Sequence, residues 1–277
     1  MKLCAVIGAA LVTAAFAASP AFAIDEGVPD RARHPYVGAL VADPDGEGPQ
    51  APFVWCSGSV ISDRVFLTAA HCIIPQPPET VWYVTLAPGS PRTPIYLPGV
   101  FPDDGFDFPI LVPLTRANQA VTHPDFGGFD NRTHDLAVVL FPPNTFAGVE
   151  PVELPTKHQL EHLALKRDPI RLVGYGLDPE HGDGDALFMA EGYRQTATAP
   201  FRRLTRRQLL LDGDAAATRQ GGLCLADSGS PQLLPGTNLA LSLHSENAPE
   251  LDACRGGIRA QRLDTRSERR FLARYLP

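Results

Sequence analysis

The sequence predicts an all-β protein in two halves, closed by a single C-terminal helix. Strand-length apolar runs recur from end to end, each short and most bounded by Pro, Gly, Asp or Asn. The 28 prolines and 24 glycines scattered between these runs mark a loop-rich, β-rich chain. Helical periodicity is clear only at the C-terminus, and there is neither an internal repeat nor a βα alternation.

The first 23 residues stand apart. Lys2 precedes the apolar stretch Leu3 to Ala18, and Ser-Pro-Ala-Phe-Ala follows, with Ala21 and Ala23 in a small-x-small cleavage pattern. The run is short of the roughly 20 residues that span a bilayer and stops at Pro20. This is a signal peptide. Cleavage near Ala23 leaves a protein that begins at Ile24, is extracellular or periplasmic, and has no membrane attachment.

Strands are expected at Tyr36–Val41, Ser57–Ile61, Val65–Ala69, Val81–Leu86, Leu136–Phe141, Ile170–Gly174, Gln208–Leu211 and Leu239–Leu243. Long loops at 42–52, 87–113 and 178–185 are of the kind that shape a cleft on a β framework. The Pro142–Pro155 region divides the chain into units 24–150 and 151–277. In the terminal helix Thr265 and Glu268 have capping-box spacing, while Phe271 with Tyr275 and Leu272 with Leu276 recur four apart.

Hydrophobic residues at 44% and charged residues at 20% describe a globular chain. A net charge of −7 excludes a broad basic field for nucleic acid. Two basic clusters, at 202–207 and 266–270, read as solvated faces. Cys4 leaves with the signal, and Cys56, Cys72, Cys224 and Cys254 remain. An even count in an oxidising compartment argues for two disulfides, and four cysteines allow three pairings. The sequential pairing would keep each bridge local. None of the four forms a CxxC pair, so a metal site is disfavoured.

Three blocks could carry chemistry. LTAAHC ends in His71 and Cys72 just after a strand, HDLAVVLF puts Asp135 at the head of another, and CLADSGSP holds Asp227 and Ser228. Asp-Ser-Gly alone is a common turn. Taken together, the blocks supply a nucleophile, a base and an orienting acid. A serine hydroxyl needs a base to take its proton, an imidazole titrates near neutrality, and a buried carboxylate fixes the tautomer and stabilises the imidazolium.

These blocks, in the order His, Asp, Ser, resemble the chymotrypsin-like (trypsin-fold) serine protease family, in a secreted form of bacterial type. VGYG at 173–176 and the C-terminal helix agree with the family pattern, and the resemblance runs from Ile24 to the end. It implies two antiparallel β-barrels with the C-terminal α-helix, His71 and Asp135 on the first barrel and Ser228 on the second. It also implies bridges Cys56–Cys72 and Cys224–Cys254, and an oxyanion hole formed by the N–H groups of Ala226 and Ser228. In the family a new N-terminal ammonium pairs with the Asp before the serine, which here implies Ile24 and Asp227. Signal cleavage would then itself create the activating terminus. Gly222 lies at the implied base of the specificity pocket, so cleavage is not trypsin-like. Ser242 and His244 fall in the segment implied to pair with substrate, and Gly257 on the pocket wall. The implied partner is a protein or peptide substrate of a monomeric enzyme, with no cofactor and no metal.

One departure matters. Where the family has Gly-Asp-Ser-Gly-Gly-Pro, this chain has Ala226-Asp227-Ser228-Gly229-Ser230-Pro231. A Cβ at 226 would strain the donor turn, so weak catalysis, or a binding protein that keeps the fold without turnover, is the alternative. An α/β-hydrolase is disfavoured, since it needs G-x-S-x-G with the serine first in chain order. His158-Gln159-Leu160-Glu161-His162 matches H-x-x-E-H, which binds zinc only if a helix puts both histidines on one face. Asn131-Arg132-Thr133 is a glycosylation sequon.

Overall fold

Fifteen strands and three short helices make up the regular structure among the described residues. The computed structural model describes Ile24 and residues 26–44, 53–89, 115–176, 193–247 and 256–277. The signal segment, Cys254 and most of the three long loops lie outside them.

Strand β1 (Val28–Pro29) opens the chain. One antiparallel sheet follows from β2 (Val37–Asp43), β3 (Phe53–Ser62), β4 (Val65–Thr68), β5 (Val81–Thr85), β6 (Thr115–Arg116), β7 (Gln119–Thr122) and β8 (Ala137–Leu140). Its order is β6-β5-β2-β3-β4-β8-β7. The second contains β9 (Ile170–Gly174), β10 (Gln195–Ala199), β11 (Phe201–Leu204), β12 (Gln208–Asp212), β13 (Pro231–Leu233), β14 (Ala240–Asn247) and β15 (Gly257–Arg262). Its order is β1-β10-β9-β13-β14-β15-β12-β11. The helices are α1 (Ala70–Ile73), α2 (Ala215–Thr218) and α3 (Arg266–Leu272). Every strand read from the sequence is present, and the all-β class with a C-terminal helix holds.

Several of the additional strands are only two to four residues long, and two of the longer ones bury polar side chains. β10 reads QTATA and buries Gln195 and Thr196, while β15 ends in buried Gln261 and Arg262. Such residues can be buried because they are hydrogen-bonded: Thr196 donates to Leu172 O, and Arg262 forms a paired contact with Asp264.

Each end of the chain crosses to the other half. β1 pairs with β10 in the second sheet, and Ile24 is wholly buried in that half's core with Leu160, Leu172 and Leu211. Phe271 and Leu272 of α3 pack into the first half's core with Val138, Val139 and Phe141. A buried ion pair strengthens this lacing. Arg194 Nε donates to Asp30 at 2.8 Å, and its other nitrogens reach Val37 O, Arg31 O and the Tyr175 hydroxyl. A buried guanidinium is tolerated because its donors are matched. The predicted capping box does not form. Thr265 has N-cap geometry without a side-chain cap bond, and Glu268 turns inward to His134 and Gln261.

Candidate active site

His71 sits in α1 directly after β4, and Asp135 lies just before β8. Pairing of β4 with β8, with Thr68 opposite Ala137, brings the two together. His71 Nδ1 lies 2.7 Å from Asp135 Oδ2, and the His71 backbone N–H donates to Oδ1 at 2.9 Å. The Cys56–Cys72 disulfide ties the residue after His71 to β3, and Trp55 Nε1 donates to Cys72 O at 2.7 Å. Asp135 is fully buried. Burial works to raise its carboxyl, but the bonds and charge of His71, the Ser245 hydroxyl and the His71 N–H hold it below the usual carboxylate range. An ionised carboxylate only accepts, so Nδ1 carries the proton and Nε2 keeps a free lone pair.

Ser245 Oγ donates to Asp135 Oδ2 at 2.5 Å, a partner that the sequence reading missed. Ser242 and His244, expected to meet substrate, lie instead inside β14. Ser242 is fully buried with its hydroxyl on Gln232, and β14 is paired on both sides there, to Gln232 and Arg262. No edge is left for a substrate strand. His244 is also buried. Its Nδ1 has no partner among the described residues, and burial, then the charges of His71 and Arg132, push the ring down to about 3, against Asp135. Pairing on the β13 side ends with the exchange between His244 and residues 229–230, so Ser245, three residues after Ser242, is beyond it, and its carbonyl accepts from Arg132 Nη1 at 2.6 Å. Two serines three apart look alike in sequence, and only strand register separates them. Gly222 is buried, and Gly257 is half-buried at the head of β15 opposite Asp212.

Ser228 comes from the second half, in the turn before β13. Gly229 has φ +83°, and a Cβ there would collide with Thr68 Oγ1 and Ser57 O, so glycine is required where the turn presses on β3 and β4. Ser57 donates its N–H to Ser228 O at 2.8 Å and its hydroxyl to Ala226 O at 3.0 Å. It thus holds the carbonyls of both residues whose N–H groups would form an oxyanion hole. Neither of those N–H groups donates to any group among the described residues. Ala226 has φ +63°, the left-handed region that glycine occupies freely and alanine does not. The half-exposed Ser228 makes no hydrogen bond to His71 among the described residues. Such links are often loose before substrate binds.

Asp227 is fully buried between Gly174 and Gly176, and it accepts from Gly176 N at 2.8 Å and Cys224 N at 2.9 Å. Burial pushes its carboxyl up to about 8, with the two N–H bonds opposing. It has no cationic partner among the described residues. The peptide nitrogen of Ile24 lies 3.5 Å from Gln195 Oε1, and Gln195 faces Gly174 across the β9–β10 pair. Cys224 is disulfide-bonded.

Two further histidine groupings lie outside the His71–Asp135 pair. His158 has φ +60° and Gln159–His162 forms a 3-10 turn, whose three-residue period separates the two rings of the H-x-x-E-H pattern. His123, His134 and Glu268 lie within 4.8 Å of one another. His123 Nδ1 accepts the Asp125 N–H, so its Nε2 carries the proton and points to Ser267. His134 contacts Glu268 at 2.6 Å, tying α3 to the residue before Asp135.

No protein-family model and no curated relative matches the chain. Solved structures do. An HL collagenase structure aligns with TM-score 0.62 and 18% identity over 88% of this chain and 94% of that one. Human heparin binding protein aligns with TM-score 0.60 and 16% identity over 90% and 95%. The chain therefore has the chymotrypsin-like fold.

Proposed function

We propose that the chain is an exported serine endopeptidase acting through Ser228, His71 and Asp135. The observation that carries this reading is the buried His71–Asp135 pair, which leaves Nε2 free, together with a Ser228 turn that packs on β3 and β4 and has two N–H groups that donate to nothing among the described residues. His71 Nε2 takes the proton as Ser228 Oγ attacks the peptide carbonyl, and Asp135 stabilises the imidazolium. The N–H groups of Ala226 and Ser228 receive the developing oxyanion. The proton then passes to the leaving amine, and water releases the acyl group by the same relay. His71 and Asp135 belong to unit 24–150 and Ser228 to unit 151–277. Cleavage after Ala23 frees an ammonium on Ile24 for Asp227, which otherwise lacks a counter-charge. Gly222 at the pocket base supports a specificity that is not trypsin-like, and the Cys56–Cys72 bridge is consistent with export.

Fluorophosphonate labelling tests this reading. Protein beginning at Ile24 should be labelled at Ser228 and hydrolyse peptides, and Ser228→Ala should do neither. A properly processed protein that stays unlabelled would instead be a binding module, the reading that the left-handed Ala226 favours.

A further inference from the structure

A cavity of about 830 Å³ opens beside the candidate site. Its walls include four guanidiniums, Arg132, Arg206, Arg207 and Arg259, against two carboxylates, Asp130 and Glu246. This is a local excess of positive charge on a chain of net charge −7. Arg132 and Arg259 both engage Glu246, at 3.8 and 3.1 Å. Arg206 and Arg207 are exposed and enter no ion pair among the described residues. The cluster 202–207, read from sequence as a solvated face, thus contributes two of these cations to a concave wall.

Two of the cavity's lining residues, Arg132 and Glu246, lie close to the His71–Asp135 pair. Glu246 follows Ser245, whose hydroxyl holds Asp135, and Arg132 Nη1 donates to Ser245 O at 2.6 Å. Phe129 bridges the remaining gap, its ring 6.5 Å from that of His71 and 5.7 Å from the Arg132 guanidinium carbon. A peptide running along β14 from a scissile bond at Ser228, past the Ser245 carbonyl that Arg132 holds, would bring neighbouring side chains toward the cavity.

We infer that this cavity is a subsite for acidic side chains, so that the substrates are peptides bearing Asp or Glu within a few residues of the cleaved bond. The inference rests on the protease reading above. A single carboxylate entering between Arg206 and Arg207 meets their unpaired charge. A dense polyanion would also have to press against Asp130 and Glu246, and that repulsion favours the peptide.

The test uses peptide pairs that differ only by Glu against Gln at each position flanking the cleaved bond. Binding to Ser228→Ala is measured by fluorescence anisotropy and cleavage by the wild-type protein. At one or two positions the Glu peptide should bind and be cleaved roughly tenfold better at low salt, the equivalent of a few partly exposed charge contacts. Salt should shrink the preference, and R206E/R207E should reverse it. Equal binding of Glu and Gln peptides at all positions, or a preference that survives R206E/R207E, overturns the assignment. So does tight binding of a sulfated oligosaccharide that depends on Arg206 and Arg207 while the peptide pairs go undistinguished. Fluorophosphonate labelling is read in parallel. A Glu preference in binding without labelling would sink the protease reading and leave the acidic subsite standing.

Discussion

The two halves of the candidate site differ in how complete they are. On the first half His71 and Asp135 are locked: a short contact, a backbone N–H, a serine hydroxyl and a disulfide fix both residues. On the second half Ser228 has no bond to the base, Ala226 occupies a left-handed conformation, and Asp227 is a buried carboxyl without a cation among the described residues. The acid–base pair needs only the fold, whereas the nucleophile turn needs something more. Under the proposed function, this arrangement would keep an uncleaved chain from carrying a finished catalyst.

Four changes probe that contrast. The largest effect is expected from Asp135→Asn, which leaves the geometry but loses the enforced tautomer, and should lower kcat by about 10,000-fold. A loss below tenfold would mean that the locked half is not the one that matters.

Next comes the N-terminus. Protein that retains Ala23 should be about 100-fold or more slower than protein starting at Ile24, in line with loss of an oxyanion donor. The pH dependence of stability should separate the two forms. In the uncleaved chain the Asp227 carboxyl is raised to about 8, so its contribution is complete below its unfolded value and is lost as pH rises through about 8. Pairing with an ammonium lowers that carboxyl, so its contribution is then lost only on acidification below the ordinary carboxylate range. Thermal melts between about pH 5 and about pH 7 should therefore show stability falling with pH in the uncleaved chain and staying nearly flat in the processed one, and equal slopes would refute the pairing.

A smaller gain is expected from Ala226→Gly. Relief of the left-handed conformation should add about 1 kcal/mol of stability. Turnover should rise several-fold, and steady-state kinetics with unchanged or lower kcat would show that the alanine costs the turn nothing. Smallest is Ser57→Ala, which frees the Ala226 carbonyl. One neutral hydrogen bond is typically worth about 1 kcal/mol, so kcat should drop a few-fold with KM little altered. A change confined to KM would argue against a role in positioning the donors.

Much of this was legible in the sequence. Strands with an apolar period, such as Val65–Thr68, announced themselves, and His71, Asp135 and Ser228 stood out as blocks in order. What was hidden depended on register or on distant loops. Ser245 could not be told from Ser242 until the pairing of β14 was known. The Arg132 and Arg206–Arg207 wall comes from segments more than seventy residues apart in the chain. Glu268 looked like a capping residue because its spacing was right, yet the buried side of α3 gave it a better partner in His134.

The exchanged ends have a mechanical consequence. β1 belongs to the sheet it precedes by more than a hundred residues, and α3 seals the core of the half it does not follow. A single nick between Pro142 and Pro155 would therefore not free two pieces, because each fragment would still grip the other by its far end. The molecule behaves as a clasp, and a co-expressed pair of fragments cut there should reassemble without a linker.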